Sequence, residues 1–208
     1  MPGGLFFSYR CQDAGTPLAY DPIMASLNAA QCSLIIGTLL GDGAMRCKRN
    51  PLLEINHGHA QQGYVDWKYE ILSEIVATGP KIRPSGGQGR LAYRFTTLSV
   101  PQLMPFYRLF YPAGTKIVPW LRLTPLALAV WFMDDGSKSY RAVYLNTQQF
   151  DIEGQQRLVA MLEMQFAVRA TLNRDKQYHR LRISVSSVAK LKRLISPYLL
   201  SEMTYKLP

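Results

Sequence analysis

Two short stretches of the chain carry carboxylates where chemistry could occur. "LIIGTLLGDGAMR" (34–46) and "LAVWFMDDGSKSY" (128–140) are runs of apolar residues ending on aspartate and glycine, as Gly41-Asp42-Gly43 and Asp134-Asp135-Gly136. A lone Gly-Asp-Gly is ordinarily a helix end and a turn; here the pattern occurs twice, each time after an apolar helical stretch. Gly37 and Gly41, at i and i+4, let a second helix approach closely, and Ala129 and Met133 form the expected facing row. If the two helices pair, Asp42 and Asp135 lie side by side at the negative ends of two helix dipoles. Like charges in a partly buried site oppose each other's ionisation. A divalent cation removes that difficulty, and Mg2+ takes carboxylate and phosphate oxygens, with Mn2+ as the natural substitute. Paired carboxylates beside basic surface therefore read as a metal-dependent site for phosphodiester hydrolysis.

A repeated unit must position them. After the first motif come an extended stretch (52–59), a helical one (64–77), a second strand (91–99), a second helix (100–111) and "TKIVP" (115–119). After the second motif the same order returns: 141–150, helical 151–166, "HRLRISVSS" (179–187), helical 187–199 and "YKLP" (205–208). Thr124-Pro125 reads as N-cap and first-turn proline of the second motif helix, Pro22 and Ser26 precede the first, and Gly43 and Gly136 read as helix ends. In 179–187, Arg180, Arg182 and Ser184 alternate with Leu181, Ile183 and Val185, a strand with one basic and one apolar face. Arg90, Ala92 and Arg94 alternate less cleanly with Leu91, Tyr93 and Phe95. "PSGGQG" (84–89) reads as a hairpin turn or loop, and "PWLRLT" (119–124) as the linker between two halves.

Composition narrows the partner. The 208 residues carry 24 Lys+Arg against 14 Asp+Glu, a net charge of +10. Arginine supplies 15 of those 24, and it is the side chain suited to guanine edges and phosphates. Nucleic acid leads as partner over a membrane, since no basic amphipathic helix stands out and no apolar run is long enough to cross a bilayer. The start of the chain lacks the pattern of a secretory signal. Cys11, Cys32 and Cys47 have no metal-ligand spacing and read as free thiols of a reducing, intracellular compartment. Arginine over lysine with scarce asparagine favours a bacterial cytoplasm over an organelle.

On these residues the sequence resembles the LAGLIDADG homing endonucleases. "IIGTLLGDG" (35–43) and "LAVWFMDDG" (128–136) look like two copies of the motif that names them, and "LNTQQF" (145–150) and "YKLP" (205–208) resemble segments of the intron-encoded, single-chain, two-motif members. The resemblance covers roughly residues 25–208. It implies an α+β fold of two pseudo-symmetric αββαββα halves, 25–119 and 120–208, whose antiparallel sheets form a saddle on DNA, with 1–24 as an N-terminal extension. It implies that Asp42 and Asp135 hold the catalytic metals, with Gly41 and Asp134 in the same metal-site set and Asp134 in a supporting part. It implies assisting lysines at Lys116 and Lys206, and cleavage of both strands of a long site across the minor groove by a monomer. Val130 stands where the motif usually has glycine, so the second helix should pack less intimately. The strands of the halves differ widely, so the DNA site should be asymmetric. An RNA maturase acting on a host intron is the alternative on the same fold.

The DNA contacts expected are Arg46, Lys48 and Arg49 after the first motif, Asn56, His57, Arg83, Arg90 and Arg94 on or beside the first set of strands, and Lys138, Arg141, Asn146, Gln148, Arg174, Lys176, Arg180 and Arg182 in the second half. Asparagine and glutamine read adenine edges, and arginine and lysine bind phosphate. His57 and His59 lack a third ligand and read as DNA contact or surface rather than a metal pair. Trp67, Trp120 and Trp131 read as core or seam.

Overall fold

The computed structural model describes residues 26–86 and 89–208; the expected extension 1–24, with Cys11 and Pro22, lies outside the described residues. The first half runs α1 (Ala29–Leu40), β1 (Ala44–Cys47), β2 (Pro51–Gly58), α2 (Gln62–Leu72), β3 (Lys81–Pro84), β4 (Leu91–Thr96) and α3 (Met104–Phe110). The second runs α4 (Pro125–Asp135), β5 (Gly136–Ser139), β6 (Ala142–Leu145), α5 (Ile152–Phe166), β7 (Ala170–Asp175), β8 (Tyr178–Ile183) and α6 (Val185–Ile195). The order αββαββα occurs twice. The two four-stranded sheets have equivalent strand orders, β1-β2-β4-β3 and β5-β6-β8-β7, with every pairing antiparallel.

Local signals account for the element ends. Thr124 caps α4 by accepting from the Ala127 amide, with Pro125 in the first turn. The first motif helix is capped by Asn28 rather than Ser26: Asn28 and Gln31 exchange side-chain-to-backbone bonds in a capping box. It ends at Gly41, two residues before Gly43. The alternation expected in 179–187 holds from Arg180 to Ile183. There the strand stops, because Ser184 opens α6, and Val185 is an exposed helical residue. β3 and β4 pair as an antiparallel hairpin, with the Ser85 amide donating to the Arg90 carbonyl at 2.9 Å; residues 87 and 88 of the expected turn lie outside the described residues. Residues 119–124 are more than a tether. Leu121 and Leu123 are buried, and the segment lies along α5, where Gln165 bonds the Leu121 carbonyl and the Leu123 amide.

The core is one continuous apolar cluster, and α1 and α4 run through its middle. From Cys32 to Gly41 and from Ala127 to Gly136 every residue is buried. A Cβ on Gly37 would lie 2.5 Å from the Ala127 carbonyl oxygen and 2.6 Å from Val130 Cβ, and one on Gly41 would lie 2.4 Å from Asp134 Cβ. Both helices advance in the same direction along these contacts, so they are parallel and their C-terminal ends coincide. The row facing α1 is thus Ala127, Val130 and Asp134, not Ala129 and Met133. Val130, where the motif usually has glycine, sets its side chain over Gly37. Among the tryptophans, Trp131 is buried and Trp67 half-buried, but Trp120 is exposed. Cys32 and Cys47 are free thiols. Among the described residues no helix is long and apolar enough to cross a membrane.

This seam generates a stability prediction. Gly37→Val puts a branched side chain where backbone already fills the space, and should cost about 1–3 kcal/mol. The denaturant midpoint reads this out, and an unchanged midpoint would contradict the close approach.

Candidate functional site

The C-terminal ends of α1 and α4 bring three aspartates together, and their surroundings differ. The Asp42 side chain is half exposed (50%). It borders a groove of about 550 Å³ on the outer face of the first sheet, lined also by Arg46, Asn56, Lys81, Arg83 and Arg94. Asp135 is buried, and its Oδ2 has no hydrogen-bond partner among the described residues. Burial pushes its carboxyl up to about 8, with the charges of Asp42 and Asp134 adding to the effect. Asp42 is raised as well, by desolvation first and then by Asp134.

Asp134 has a different environment. Its carboxylate is fully buried and turns into the first half, accepting from Tyr64 Oη at 2.7 Å and from Lys68 Nζ at 2.8 Å through Oδ1. Its Oδ2 accepts from the Asp42 amide at 3.3 Å. The Asp134 carboxylate is therefore occupied, and what it offers a metal site is its main-chain carbonyl. His57 completes this cluster, with Nε2 3.6 Å from Asp134 Oδ1 and Nδ1 3.7 Å from Asp42 Oδ2. Burial, then the Lys68 charge, lowers its pKa to about 4. The expectation that His57 contacts DNA is thus corrected: it is buried on the core side of β2, and Asn56 beside it takes the outer face.

The two lysines occupy matching places. Lys116 Nζ donates to the Gly41 carbonyl at 3.0 Å and the Gly43 carbonyl at 2.8 Å. Lys206 Nζ donates to the Asp134 carbonyl at 2.9 Å and also to that of Met133. Each ammonium thus sits on the carbonyls that end a motif helix, where a cation offsets the dipole. Burial lowers Lys116 to about 8, although Asp135, Asp134 and Asp42 oppose the shift. Burial lowers Lys206 in the same way. Gln149, which the sequence did not single out, also reaches this place: its Nε2 donates to the Gly41 carbonyl at 3.1 Å and its Oε1 accepts from Lys116 at 3.3 Å.

The donor set fits a hard divalent cation. It comprises a partly exposed carboxylate at Asp42, an unsatisfied carboxylate oxygen at Asp135, and the carbonyls of Gly41 and Asp134. The Asp134 carbonyl has a second lone pair beyond the one taken by Lys206, whereas the Gly41 carbonyl already accepts from Lys116 and Gln149 and would exchange one of them for the metal. Mutual suppression of ionisation by two carboxylates is the condition a bound cation relieves. Among the described residues no three His, Cys, Asp or Glu side chains cluster as a metal site of their own, so substrate or water oxygens must supply the remaining ligands.

Register sorts the expected DNA contacts. Asn56 pairs with Arg94, Arg94 with Lys81, and Arg83 with Ala92, and these side chains share the outer face of the first sheet with Arg46. Arg46 is also paired with Glu54 at 2.5 Å. In the second sheet Tyr144, Arg182 and Thr171 form one outer row and Asn173 pairs with Arg180. Arg180 lies over the Tyr144 ring and donates to Asn146, while Gln148 donates to Asp175. Lys138 departs from expectation. It pairs with Val143, a core residue, so it projects from the helix side of an edge strand. Arg174 pairs with His179, also opposite in phase to Arg180. Lys48, Arg49, Arg90, Arg141 and Lys176 are exposed in turns at strand ends. Lys81 belongs with the outer row and was missed, because a four-residue edge strand carries too little alternation to recognise.

Comparison with known proteins agrees with this architecture. Solved coordinates of the homing endonuclease I-WcaI bound to its DNA recognition sequence superpose with a TM-score of 0.82 at 25% identity, over 91% of this chain and 90% of that one. The cytochrome b mRNA maturase bI2 of Debaryomyces hansenii is 27% identical over 203 residues, 87% of this chain and 74% of that protein. The protein RecA of Mycolicibacterium chitae is 30% identical over 224 residues, but the chain spans only about half (51%) of its length. The sequence profile described as the LAGLIDADG DNA endonuclease family matches residues 32–191, which takes in both motif helices and both sheets, and the chain belongs to that family.

Proposed function

We propose that the chain is a site-specific endonuclease that hydrolyses phosphodiester bonds on both strands of duplex DNA with a divalent metal, Mg2+ or Mn2+. The observation that carries this reading is the position of the Asp42 carboxylate, at the helix seam and at the margin of an arginine-lined groove. The I-WcaI likeness supports duplex DNA as the partner, lying along the outer faces of the two sheets. Asp42 and Asp135, with the carbonyls of Gly41 and Asp134, would hold the metal, which when bound activates water and stabilises the leaving oxygen. The chain's own residues do the rest. Arg46, Lys81, Arg83 and Arg94 on one sheet and Arg182 on the other bind the backbone. Asn56 and Asn146 read base edges. Lys116 and Lys206 hold the motif-helix ends in place and offset charge that develops on the phosphate.

The chain is further read as a single-chain, two-motif, intron-encoded enzyme, divided into halves 25–119 and 120–208. It acts as a monomer on a long asymmetric site. A second reading, assistance to the splicing of a host intron RNA, is favoured by the maturase relative. Selecting cut duplexes from a randomised library, with and without Mg2+, separates the two. Recovery of a metal-dependent cut site supports the endonuclease, and no cut duplex with either metal would leave the RNA reading.

Asp42→Asn and Asp135→Asn are each expected to abolish double-strand cleavage while gel-shift affinity for the selected duplex persists. The wild-type rate below saturation should stay first order in enzyme. Full cleavage by either variant would move the site elsewhere, and a second-order rate would contradict the monomer.

Lys116→Met and Lys206→Met should each slow single-turnover cleavage roughly ten-fold or more, about 1.4 kcal/mol of barrier. Affinity should change far less, since each lysine is bonded to backbone rather than facing the groove. A fall in affinity that tracks the rate would make them ordinary phosphate anchors.

Binding should weaken steeply with salt, with a log–log slope of roughly −5 or steeper if about six phosphates are neutralised. A nearly flat dependence would rule out the outer sheet faces as the DNA surface.

A further inference from the structure

Lys68 is one of the largest side chains in the protein with no solvent exposure. It is also a lysine on the apolar side of α2, among Tyr64, Val65 and Leu72. Burying an ammonium is costly unless it is paired and hydrogen-bonded. Its partner is Asp134, which comes from the other half of the molecule, at 2.8 Å. The pair is therefore a polar tie across the seam at the aspartate end, where the facing residues are otherwise glycine and apolar side chains; the other polar tie, Thr124 Oγ1 to Ser33 Oγ at 2.9 Å, lies at the far end of the two helices.

The tie leads to the proposed metal ligand through two bonds. Lys68 and Tyr64 fix Asp134 Oδ1, which orients the carboxylate, and Oδ2 then accepts from the Asp42 amide at 3.3 Å. Tyr64 Oη also lies 3.1 Å from the Val130 carbonyl, one turn back on α4, but its single proton is best placed for the closer Asp134 Oδ1. Asp42 follows the last turn of α1, where Gly41 leaves room for the Asp134 side chain. Nothing else described fixes the Asp42 amide. In the second half, the buried pair between β6 and α5 is neutral, Thr147 and Gln155 bonded to each other at 3.1 Å.

We propose that Lys68, acting through Asp134 with Tyr64, is a positioning residue that sets the place of Asp42 across the seam for catalysis. This rests on the reading of Asp42 as a metal-site residue of an endonuclease. Lys68 touches neither DNA nor the groove, so its loss acts on the chemical step and not on binding. Displacement of a reacting group by about 1 Å can slow a step roughly a hundred-fold, which sets the scale of the effect.

Lys68→Met alone leaves a buried carboxylate unpaired and could unfold the chain, so the decisive variant is the charge-balanced Lys68→Met/Asp134→Asn, with Tyr64→Phe as the milder partner. Asparagine matches aspartate in shape, but it can present oxygen either to Tyr64 or to the Asp42 amide and not to both. Two measurements are made. In the protein alone, amide hydrogen exchange is followed at Asp42 and, as a control for global stability, at Leu34–Leu39 of α1. On the duplex selected from the library, single-turnover cleavage and gel-shift affinity are compared with wild type. The expected result is faster exchange at Asp42 with α1 still protected, cleavage slowed roughly ten- to a hundred-fold, and affinity within about two-fold, Tyr64→Phe falling between. Unchanged Asp42 exchange, or an unchanged single-turnover rate in the folded double variant, overturns the proposal. Equal loss of protection at Asp42 and in α1 also overturns it, leaving Lys68 a stability residue only. If wild type cuts no duplex, the endonuclease reading fails, and Asp42 exchange still decides whether Lys68 positions that residue.

Discussion

Two parallel helices ending at the same place impose the constraint to which the rest of the site responds. Parallel packing of α1 and α4 brings two negative dipole ends together, and three aspartates are added there. Each feature alone is unfavourable, and the surroundings can be understood as the compensation. Lys116 and Lys206 sit on the terminal carbonyls, Lys68 neutralises Asp134, and arginines line the adjoining groove. What is left without compensation is the buried Oδ2 of Asp135 and the raised carboxyl of Asp42. Residual negative charge beside a basic surface is the condition under which a divalent cation and a phosphate would each find complementary groups.

The two halves share topology but not chemistry at this junction. Glycine lines the seam on α1 only; opposite it, α4 supplies Ala127, Val130 and Asp134. A branched residue set over a glycine fills the space that the glycine leaves and adds the apolar contact of the larger side chain. Asp134 crosses into the first half, whereas Gly41, its counterpart, sends no side chain back. Asp42 is therefore held by side chains of both halves and is half exposed, while Asp135 is buried. The pseudo-symmetric fold thus presents two carboxylates of unequal accessibility.

Much of this frame was legible in the sequence because it rests on local signals. The duplicated motif, the Thr124-Pro125 cap and the alternation from Arg180 to Ile183 are set by neighbours in the chain. The pairing of Asp42 with Asp135 could be read because a repeat implies equivalent places. What stayed hidden depends on rotation about an axis or on the other half. Ala129 and Met133 were the wrong facing row because both motif helices are buried on all sides, so no polar face marks their orientation. His57 reads as surface in a polar stretch, yet strand phase turns it inward beside Lys68, eleven residues further along the chain. Lys68 was the most informative omission: its position in the apolar spacing of α2 with Tyr64 and Leu72 carried the signal, but its partner lies in another half. Lys138 and Arg174 have the expected charge and the wrong phase.

The two site lysines also differ in what they support. The Gly41 carbonyl accepts from Lys116 and, independently, from Gln149, so the end of α1 keeps a donor if the ammonium is lost. For Lys206 no second side-chain donor to the Met133 or Asp134 carbonyls is seen among the described residues, and the lysine itself is buried. Its charge therefore serves the fold as well as any reaction. At Lys116 the structural share is partly duplicated by Gln149, which makes that position the cleaner place to separate support of the helix end from an effect on chemistry. An unsatisfied buried carbonyl costs about 1–3 kcal/mol, the same size as the barrier change a single cation supplies. Rate and stability have to be read together at Lys206 for that reason, and can be read apart at Lys116.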